Sequence, residues 1–351
     1  MNGSGMGERS AWRSIFDAAA IHCNGAATYH SRRHPFSSCS LGDSGPVQTF
    51  LGAIVREYAA ITLQEIGLRT AARSIRAGAL MRSDDRRAYI PAAPAYSSAS
   101  TQLGDAEPEV ATVNPFIVET SAERQLQFAK HVLQSRMRLD DPYALVASYT
   151  RQMMSFLLFN PEPEHILMIG LGGGSLPKFC YLHLPHAQIS VVEIDARVIA
   201  MRDSFCVPAN DARFRVIHDD GARYVARLNH SIDVILIDAF DEAGVAPSLA
   251  SSDFYADVWQ RLDAGGVLVM NLLGSPRSYA RHLDRVKKVF GSQVLLVTVT
   301  KNDNVLLFGF KPAVISPNAP QLSLRARYLQ SRFKLHFGSY LQKLREGRTL
   351  E

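Results

Sequence analysis

Two carboxylates three positions apart, Asp238 and Asp241, directly follow an aliphatic run in the segment IDVILIDAFDEAG. A carboxylate can bind a cationic substrate amine, orient it and help to remove its proton before the nitrogen attacks. In open α/β sheets, ligands bind at the carboxyl ends of the central strands. The position of the pair therefore predicts a catalytic role, against the simpler alternative that both acids only cap a loop.

A cluster of glycines in HILMIGLGGGSLPKF lies between a predicted buried strand and a predicted helix. Gly170, Gly172, Gly173 and Gly174 permit positive φ angles and allow a ligand to approach the backbone closely. The helix that follows offers N–H groups and a partial positive charge at its start. This loop predicts a nucleotide site, and by itself it fits a nicotinamide or flavin dinucleotide equally well.

Two later acids narrow the choice of nucleotide. Glu193 ends the second strand of the series, where a carboxylate can accept hydrogen bonds from both ribose hydroxyls. Asp220 follows the third strand, where class I sulfonium-binding proteins hold the adenine amino group. An acid at a strand end can instead cap a helix, and Asp195 is a candidate for that role. Together, the loop, Glu193 and Asp220 favour an adenosyl sulfonium nucleoside over a dinucleotide.

Buried-looking strands alternate with helix-length segments through the middle of the chain, which predicts a parallel sheet with helices on both faces. The five strands of this series are HILMIG, ISVVEID, RFRVIH, IDVILIDAF and GVLVMNLL. Two further strands, QVLLVTVT and NVLLFGF, are separated only by Lys301–Asp303, so they form a hairpin at the sheet edge. The sequence therefore predicts an α/β protein: a class I S-adenosylmethionine-dependent-transferase-like Rossmann sheet with a small N-terminal β unit.

Changes in residue composition and hydrophobic pattern divide the chain into four regions. We expect residues 1–108 to be an N-terminal extension, largely disordered or irregular, and assign it no function; a transit peptide and a misassigned start codon are alternative interpretations. Residues 109–141 form a small antiparallel β unit from the strands FIVET, RQLQF and HVLQSRM. Residues 142–312 form the Rossmann-like nucleoside-binding catalytic domain, which begins with a helix opened by Pro142. Residues 313–351 form a helical tail, packed on the domain or a partner subunit or, alternatively, lying on a membrane surface.

The bulk composition of the 351 residues limits the function classes. A hydrophobic share of 47% with 20% charged residues fits a soluble globular protein with a sizeable core. No apolar run is long enough to cross a bilayer and no hydrophobic signal region is found at the start, so we expect a cytoplasmic protein without a membrane partner. The net charge of +5 comes without a basic cluster interleaved with aromatics, so we expect no nucleic-acid partner. The four cysteines form no CxxC pair and the histidines are scattered, so we expect no metal.

The acidic segment DAFDEAGVAPSL resembles a motif of the spermidine synthases of polyamine biosynthesis, which carry Asp-Ser-Ser-Asp-Pro-x-Gly-Pro-Ala-x-x-Leu at this point. The residues that coincide with the motif are Asp238, Asp241, Gly244, Ala246 and Leu249. Tyr255 falls on a tyrosine of the family, and HVLQSRM resembles the strand that ends in the family's active-site glutamine, here Gln134. The resemblance extends from about Phe116 to Lys311.

The resemblance implies transfer of an aminopropyl group from decarboxylated S-adenosylmethionine, as co-substrate, to an amine, with methylthioadenosine expelled. It implies that Asp241 is the general base and that Asp238 binds the cationic propylamine tail. The implied donor-binding residues are Gln134, Gly170, Gly172, Gly174, Glu193, Asp220 and Asp238. The implied acceptor-binding residues are Tyr149 (with Tyr143 as a rival), Asp241 and Tyr255. Homodimers are common in the family, so a homodimer is expected.

Three departures from the family pattern keep other functions open. Gly173 stands where the glycine loop of the family has an aspartate that holds the substrate amino group and disfavours the carboxylate of intact S-adenosylmethionine. NLLGSP replaces a Gly-Glu-x-x-Trp after the fifth strand, and the TVTKND region replaces a Pro-Thr-Tyr before the last strand. A methyltransferase that uses intact S-adenosylmethionine and a catalytically silent nucleoside-binding scaffold are therefore alternatives, and the acceptor amine is not identified.

Overall fold

The structure is a computed structural model, and it describes residues 114–129, 132–241, 244–273, 276–299, 304–313 and 316–349. The extension predicted for residues 1–108 lies outside these ranges. The backbone of each candidate binding or catalytic residue named above lies within them, whereas Lys301–Asp303 and the side chain of Asp241 are outside the description.

Strands and helices alternate as the aliphatic runs predict. The strands are β1 Phe116–Glu119, β2 Glu123–Ala129, β3 Val132–Arg138, β4 His165–Ile169, β5 Gln188–Glu193, β6 Phe214–His218, β7 Ile232–Ile237, β8 Phe240–Asp241, β9 Gly244–Val245, β10 Leu262–Leu272, β11 Val294–Thr298, β12 Val305–Phe310 and β13 Arg348–Thr349. The helices are α1 Ser148–Met153, α2 Ser175–His183, α3 Ala196–Ala200, α4 Gly221–Arg227, α5 Ser252–Arg261, α6 Pro276–Phe290, α7 Ala319–Phe333 and α8 Phe337–Glu346. Short 3-10 turns occur at Met154–Leu158 and Pro247–Ala250.

The first three strands form a separate antiparallel sheet in the order β1-β2-β3. A tight turn follows β1, because the Thr120 hydroxyl accepts hydrogen bonds from the backbone N–H groups of Ala122 (3.3 Å) and Glu123 (3.0 Å). The three strands lie where FIVET, RQLQF and HVLQSRM were predicted. This small sheet precedes the larger one in the chain and brings β3 to the glycine loop.

The segment after β3 differs from the prediction. Pro142 does not open a helix, and α1 begins only at Ser148. The Arg151 guanidinium donates to the backbone oxygens of Leu145 (2.8 Å) and Val146 (2.6 Å), which ties this irregular segment to the start of the helix. Because these carbonyls bond to a side chain rather than to backbone N–H groups, the helix is shorter than predicted.

The central sheet has eight strands in the order β13-β11-β12-β10-β7-β4-β5-β6. The last five of this order run parallel, as their uninterrupted aliphatic runs predict. β12 runs antiparallel between β10 and β11, so the predicted hairpin is present, but β13 from the tail covers its outer strand. β4 has β5 on one side and β7 on the other, so a crevice opens at the carboxyl ends of these strands.

Alternate residues of each central strand face opposite sides of the sheet. On β4, Ile166 and Met168 enter one hydrophobic core, whereas Leu167 and Ile169 enter the other. All four side chains are at most 3% exposed. Burial on both faces holds the strands rigidly, and the residues that follow them are therefore well positioned to bind a ligand.

Helix starts depend on side-chain caps. The carboxylates of Asp195 and Asp220 and the Ser251 hydroxyl each accept a hydrogen bond from a backbone N–H in the first turn of α3, α4 and α5. The Asp195 bond, from the Arg197 N–H, is 2.8 Å long, so the capping role considered for this residue is confirmed.

The tail folds back onto the domain as α7 and α8. Arg325 is 1% exposed, and its guanidinium donates to the backbone oxygens of Leu158 (2.7 Å) and Phe159 (3.3 Å). The apolar side chains buried in this contact are Leu322, Leu329, Phe333, Phe337, Leu341 and Leu344. Since these side chains face the core, the membrane-surface alternative is wrong for the tail. Across the described ranges, no helix combines the length and the apolar character needed to cross a membrane.

Candidate active site

The parallel register of the central strands brings the predicted site residues to one edge of the sheet. Ile169 pairs with Val192 of β5 and with Ile237 of β7. The residues that follow these three positions, including Glu193 and Asp238, therefore lie side by side. The residues predicted from three separate motifs therefore lie at one edge of the sheet.

The glycine loop crosses this crevice so closely that side chains are excluded from it. Gly170 has φ +96°, and a Cβ there would collide with the carbonyl oxygen of Asp238. Gly172 and Gly174 also have positive φ, and a Cβ on Gly174 would collide with Val207. L-residues rarely adopt such backbone angles, so all three positions favour glycine for the conformation, and Gly170 and Gly174 also favour it for space.

Glu193 joins the glycine loop to the end of β5. Its carboxylate is 9% exposed and accepts hydrogen bonds from the backbone N–H of Leu171 (2.8 Å, at Oε2) and of Asp195 (2.9 Å, at Oε1). A carboxylate oxygen can accept more than one hydrogen bond. Glu193 thus fixes the loop and retains capacity for two ligand hydroxyls.

Asp219 and Asp220 follow β6 and have different surroundings. Asp219 is 6% exposed and is bound by the guanidinium groups of Arg223 and Arg227. Asp220 is half-buried, and its Oδ1 accepts from the Arg223 backbone N–H at 2.9 Å as the cap of α4. Because only Oδ1 is used in the cap, the other carboxylate oxygen of Asp220 is suited to a ligand.

Ile194 is a residue that the sequence reasoning missed. It lies between Glu193 and Asp195 at the end of β5, and it is 64% exposed. Its backbone oxygen contacts Nε2 of His218 at 3.0 Å, which holds this end of β5 against β6. A large aliphatic side chain exposed between two acids offers an apolar surface at the end of β5, and its position after a buried strand was the available signal.

Asp238 is the centre of a hydrogen-bond network. The Tyr149 hydroxyl donates to its Oδ2 at 3.1 Å, and the Asn271 side-chain amide donates to its Oδ1 at 2.9 Å. Burial raises the pKa of Asp238, and the hydrogen bonds from Asn271 and Tyr149 oppose that rise. Burial, with the charge of Asp238 as the second cause, raises the pKa of Tyr149 well above its usual value. The phenol therefore stays protonated and acts as a donor.

Asn271 and Asn304 extend the network and were also missed. Asn271 is 3% exposed on β10 and Asn304 is 6% exposed just before β12. The Asn304 side-chain amide donates to Oδ1 of Asn271 at 2.9 Å. Asn271 interrupts the otherwise apolar run GVLVMNLL, and a buried polar residue in such a run was the signal that could have found it.

The structure distinguishes the two candidate tyrosines of the first helix region. Tyr149 contacts Asp238, whereas Tyr143 lies in the irregular segment ahead of α1. Asp241 lies on the two-residue strand β8, and its backbone pairs with Gly244 of β9. Its role as a base stays a prediction, since its side chain lies outside the description.

Tyr255 is not brought to the Asp238 carboxylate. It is 0% exposed within the core, where its hydroxyl contacts Nδ1 of His282 at 3.2 Å and donates to the Met270 sulfur at 3.7 Å. Burial raises its pKa. These contacts give Tyr255 a packing role between α5, α6 and β10. Its binding of the acceptor stays a prediction.

On β3, the residue that contacts the glycine loop is Ser135, next to the predicted Gln134. A Cβ on Gly173 would lie 2.7 Å from Oγ of Ser135 and 3.0 Å from Cδ1 of Phe205. A Cβ on Gly172 would lie 3.7 Å from Cβ of Ser135. Gln134 is half-buried one position earlier on the same strand. The loop therefore has no free space for an aspartate at Gly173 while Ser135 and Phe205 keep their positions.

Comparisons with known proteins give the family of this chain. The family model described as "Spermine/spermidine synthase domain" matches residues 146–299. A protein of Chromobacterium violaceum named polyamine aminopropyltransferase is 37% identical over 233 residues, which are 65% of this chain and 89% of that protein. The chain belongs to the spermine/spermidine synthase family. The family resemblance predicted from the sequence is therefore confirmed.

Other comparisons place this spermidine synthase family member in the same group. A polyamine aminopropyltransferase of Neisseria meningitidis serogroup A is 35% identical over 231 residues, covering 65% of this chain and 88% of that protein. The crystal structure of a probable spermidine synthase from Corynebacterium glutamicum superposes with a TM-score of 0.52 at 20% identity, covering 62% of this chain and 83% of that one. At this sequence identity, the superposition supports a shared fold and nothing more. The predicted fold class is confirmed. In the part of the chain described here, no group of three or more His, Cys, Asp or Glu side chains could hold a metal ion.

Proposed function

We propose that this chain transfers an aminopropyl group from decarboxylated S-adenosylmethionine to an amine. The observation that carries the proposal is the Asp238 carboxylate, held by Tyr149 and Asn271 at the carboxyl end of β7 and next to the glycine loop. The relatives at 37% and 35% identity, named polyamine aminopropyltransferase, support the same reaction.

In the proposed complex, the adenosine part of the donor lies over the glycine loop. Glu193 accepts hydrogen bonds from the ribose hydroxyls, and Asp220 accepts one from the adenine amino group. The bare backbone at Gly170, Gly172 and Gly174 lets the nucleoside approach closely. Ile194 adds an exposed apolar surface at the end of β5.

Asp238 holds the cationic amino end of the propyl chain, since a half-buried carboxylate attracts an ammonium group strongly. Tyr149 and Asn271 occupy one side of each carboxylate oxygen, so the direction in which Asp238 accepts from the substrate is restricted. Gln134 on β3 is a further expected contact of the donor. The chain thus orients the carbon attached to sulfur towards the acceptor.

Asp241 binds the acceptor ammonium and removes one proton as the general base, with Tyr149 and Tyr255 as further expected acceptor contacts. The freed lone pair of the nitrogen attacks the propyl carbon bonded to sulfur. The new C–N bond forms as the C–S bond breaks, and the electron pair of that bond passes to sulfur. Neutral methylthioadenosine leaves, and the proton stays on Asp241 until solvent takes it.

Isothermal titration calorimetry of the full chain with decarboxylated and intact S-adenosylmethionine tests the proposal. We expect tighter binding of the decarboxylated donor, weakened in Asp238→Asn and retained in Asp253→Asn, which removes an exposed acid at the start of α5. Methylthioadenosine release with a panel of amines then identifies the acceptor. Preference for the intact donor would favour the methyltransferase alternative, and no binding of either would favour the scaffold.

We also propose a homodimer in the cytoplasm, on the basis of the family. Light scattering of the full chain in solution measures the mass of the assembly. A monomer at all concentrations would contradict the dimer, and fractionation of the source cells tests the location.

A further inference from the structure

We propose that Asn271 and Asn304 are positioning residues for Asp238, with Asn304 acting through Asn271. The proposal rests on the proposed function, because it concerns the carboxylate that holds the donor there. It adds a residue from the β11–β12 hairpin to the machinery of the site.

The two amides form a buried chain of hydrogen bonds that ends at the carboxylate. Asn304 donates to Asn271 and Asn271 donates to Asp238, each at 2.9 Å. The neighbours of Asn271 on β10, Met270 and Leu272, are 0% exposed. An amide without partners is costly in such surroundings, so this arrangement is maintained by the bonds of each amide to the next group.

Asn304 stabilises the orientation in which the Asn271 amide nitrogen faces Asp238. An asparagine side chain has an oxygen that only accepts and a nitrogen that only donates. Because Asn304 donates to the Asn271 oxygen, the Asn271 nitrogen is left facing the carboxylate. The reverse orientation would place an amide oxygen against the carboxylate, and two acceptors repel each other.

Asn304 is itself anchored by the hairpin. Its backbone oxygen accepts from the Val299 N–H at 3.0 Å, which closes the end of the β11–β12 pair. Asn271 pairs with Leu306 in the register between β10 and β12. The hairpin position and the orientation of the Asp238 carboxylate are therefore mechanically connected.

Loss of this amide chain should change the pH at which Asp238 titrates. Among the described side chains, Tyr149 on α1 is a titratable group in contact with it, and the charge of Arg136 on β3 acts on Tyr149. Burial raises the pKa of Asp238, and donation from Asn271 is the largest opposing influence. Without that donor the ionised form is less stable, so the carboxylate takes up its proton at higher pH. A hydrogen bond to a charged group corresponds to a rise of about one pH unit.

The test follows the Asp238 carboxyl directly by NMR of the full chain, with aspartate isotopically labelled at the side-chain carboxyl. The signal is assigned by its loss in Asp238→Asn. Asn271→Leu and Asn304→Leu are each expected to raise the titration midpoint, by about one pH unit for Asn271→Leu. In the double variant, the second change is expected to add nothing to Asn271→Leu, because Asn304 acts through Asn271.

Leu306→Ala is the matched control, since it removes buried volume beside Asn271 and leaves both amides in place. It is expected to lower the melting temperature without moving the midpoint. An unchanged midpoint in Asn304→Leu, or an equal shift in the Asn271→Leu background, would overturn the proposal. Failure of the proposed function is separate: wild-type protein would then bind no decarboxylated donor, while the midpoint shifts would still be measured.

Discussion

Replacing Tyr149 by phenylalanine removes one hydrogen bond at the Asp238 carboxylate and keeps the aromatic ring. In the wild-type chain the phenol donates to Oδ2 at 3.1 Å, while Asn271 donates to Oδ1 at 2.9 Å. The variant leaves Oδ2 without this donor in a half-buried site. The ionised carboxylate is then less stable, so the pKa of Asp238 rises, and donor affinity is lost at a higher pH as the solution is acidified.

The size of the effect follows from the geometry. A hydrogen bond to a charged group contributes about 1.5–3 kcal/mol, and each pKa unit corresponds to about 1.4 kcal/mol. Since 3.1 Å is long for a bond from a hydroxyl to a carboxylate, the lower end of this range applies. We therefore expect the acid limb of the affinity profile to move up by about one pH unit, which is about a tenfold loss of affinity on the acid side.

Calorimetric titration with decarboxylated S-adenosylmethionine across the acid range measures this profile. Tyr143→Phe is the matched control, because it makes the same change in a tyrosine that lies ahead of α1. An acid limb at the same pH in Tyr149→Phe and in wild type would refute the reasoning. So would an equal shift in Tyr143→Phe, because the effect could not then come from the contact with Asp238.

Three further predictions concern stability and the glycine loop. Because the pKa of Asp238 is raised from 3.8, the folded chain binds a proton there more readily than the unfolded chain does. The melting temperature of Asp238→Asn should therefore exceed that of wild type at neutral pH, and the difference should shrink in acid. A difference in melting temperature that is constant with pH would contradict this. Burial lowers the pKa of Lys178 from 10.5 to about 8, so between these pH values the unfolded chain holds that proton and the folded chain has lost it. In denaturant titrations, the free energy of unfolding of wild type should therefore rise relative to that of Lys178→Met as the pH rises through this range. If the free energies of unfolding of wild type and Lys178→Met change equally with pH, the lowered pKa of Lys178 is contradicted. Gly173→Asp should weaken donor binding about tenfold, because the new side chain crowds Ser135. Adding Ser135→Gly to that variant should restore part of the donor affinity measured by calorimetry. An affinity that is not restored would show that this crowding is not the cause.

Much of the fold was determined by local patterns in the sequence. The aliphatic runs predicted the five parallel strands, because a strand buried on both faces needs apolar side chains at every position. The glycine loop and the acids at the ends of β5, β6 and β7 lie at one edge of the sheet for a related reason: strands that run parallel end at the same edge. The family resemblance depended on these same short segments.

The partners of Asp238 were decided only by the tertiary structure. Tyr149 comes from a helix that begins later than Pro142 predicted, and Asn304 comes from beyond the last parallel strand. Tyr255 matched a motif but is enclosed in the core, whereas Ser135, which matched none, contacts the glycine loop. Sequence spacing determines which residues follow a strand, but which distant side chains meet there depends on how α1, β3 and the β11–β12 hairpin pack against the sheet, since those contacts are not local in the chain.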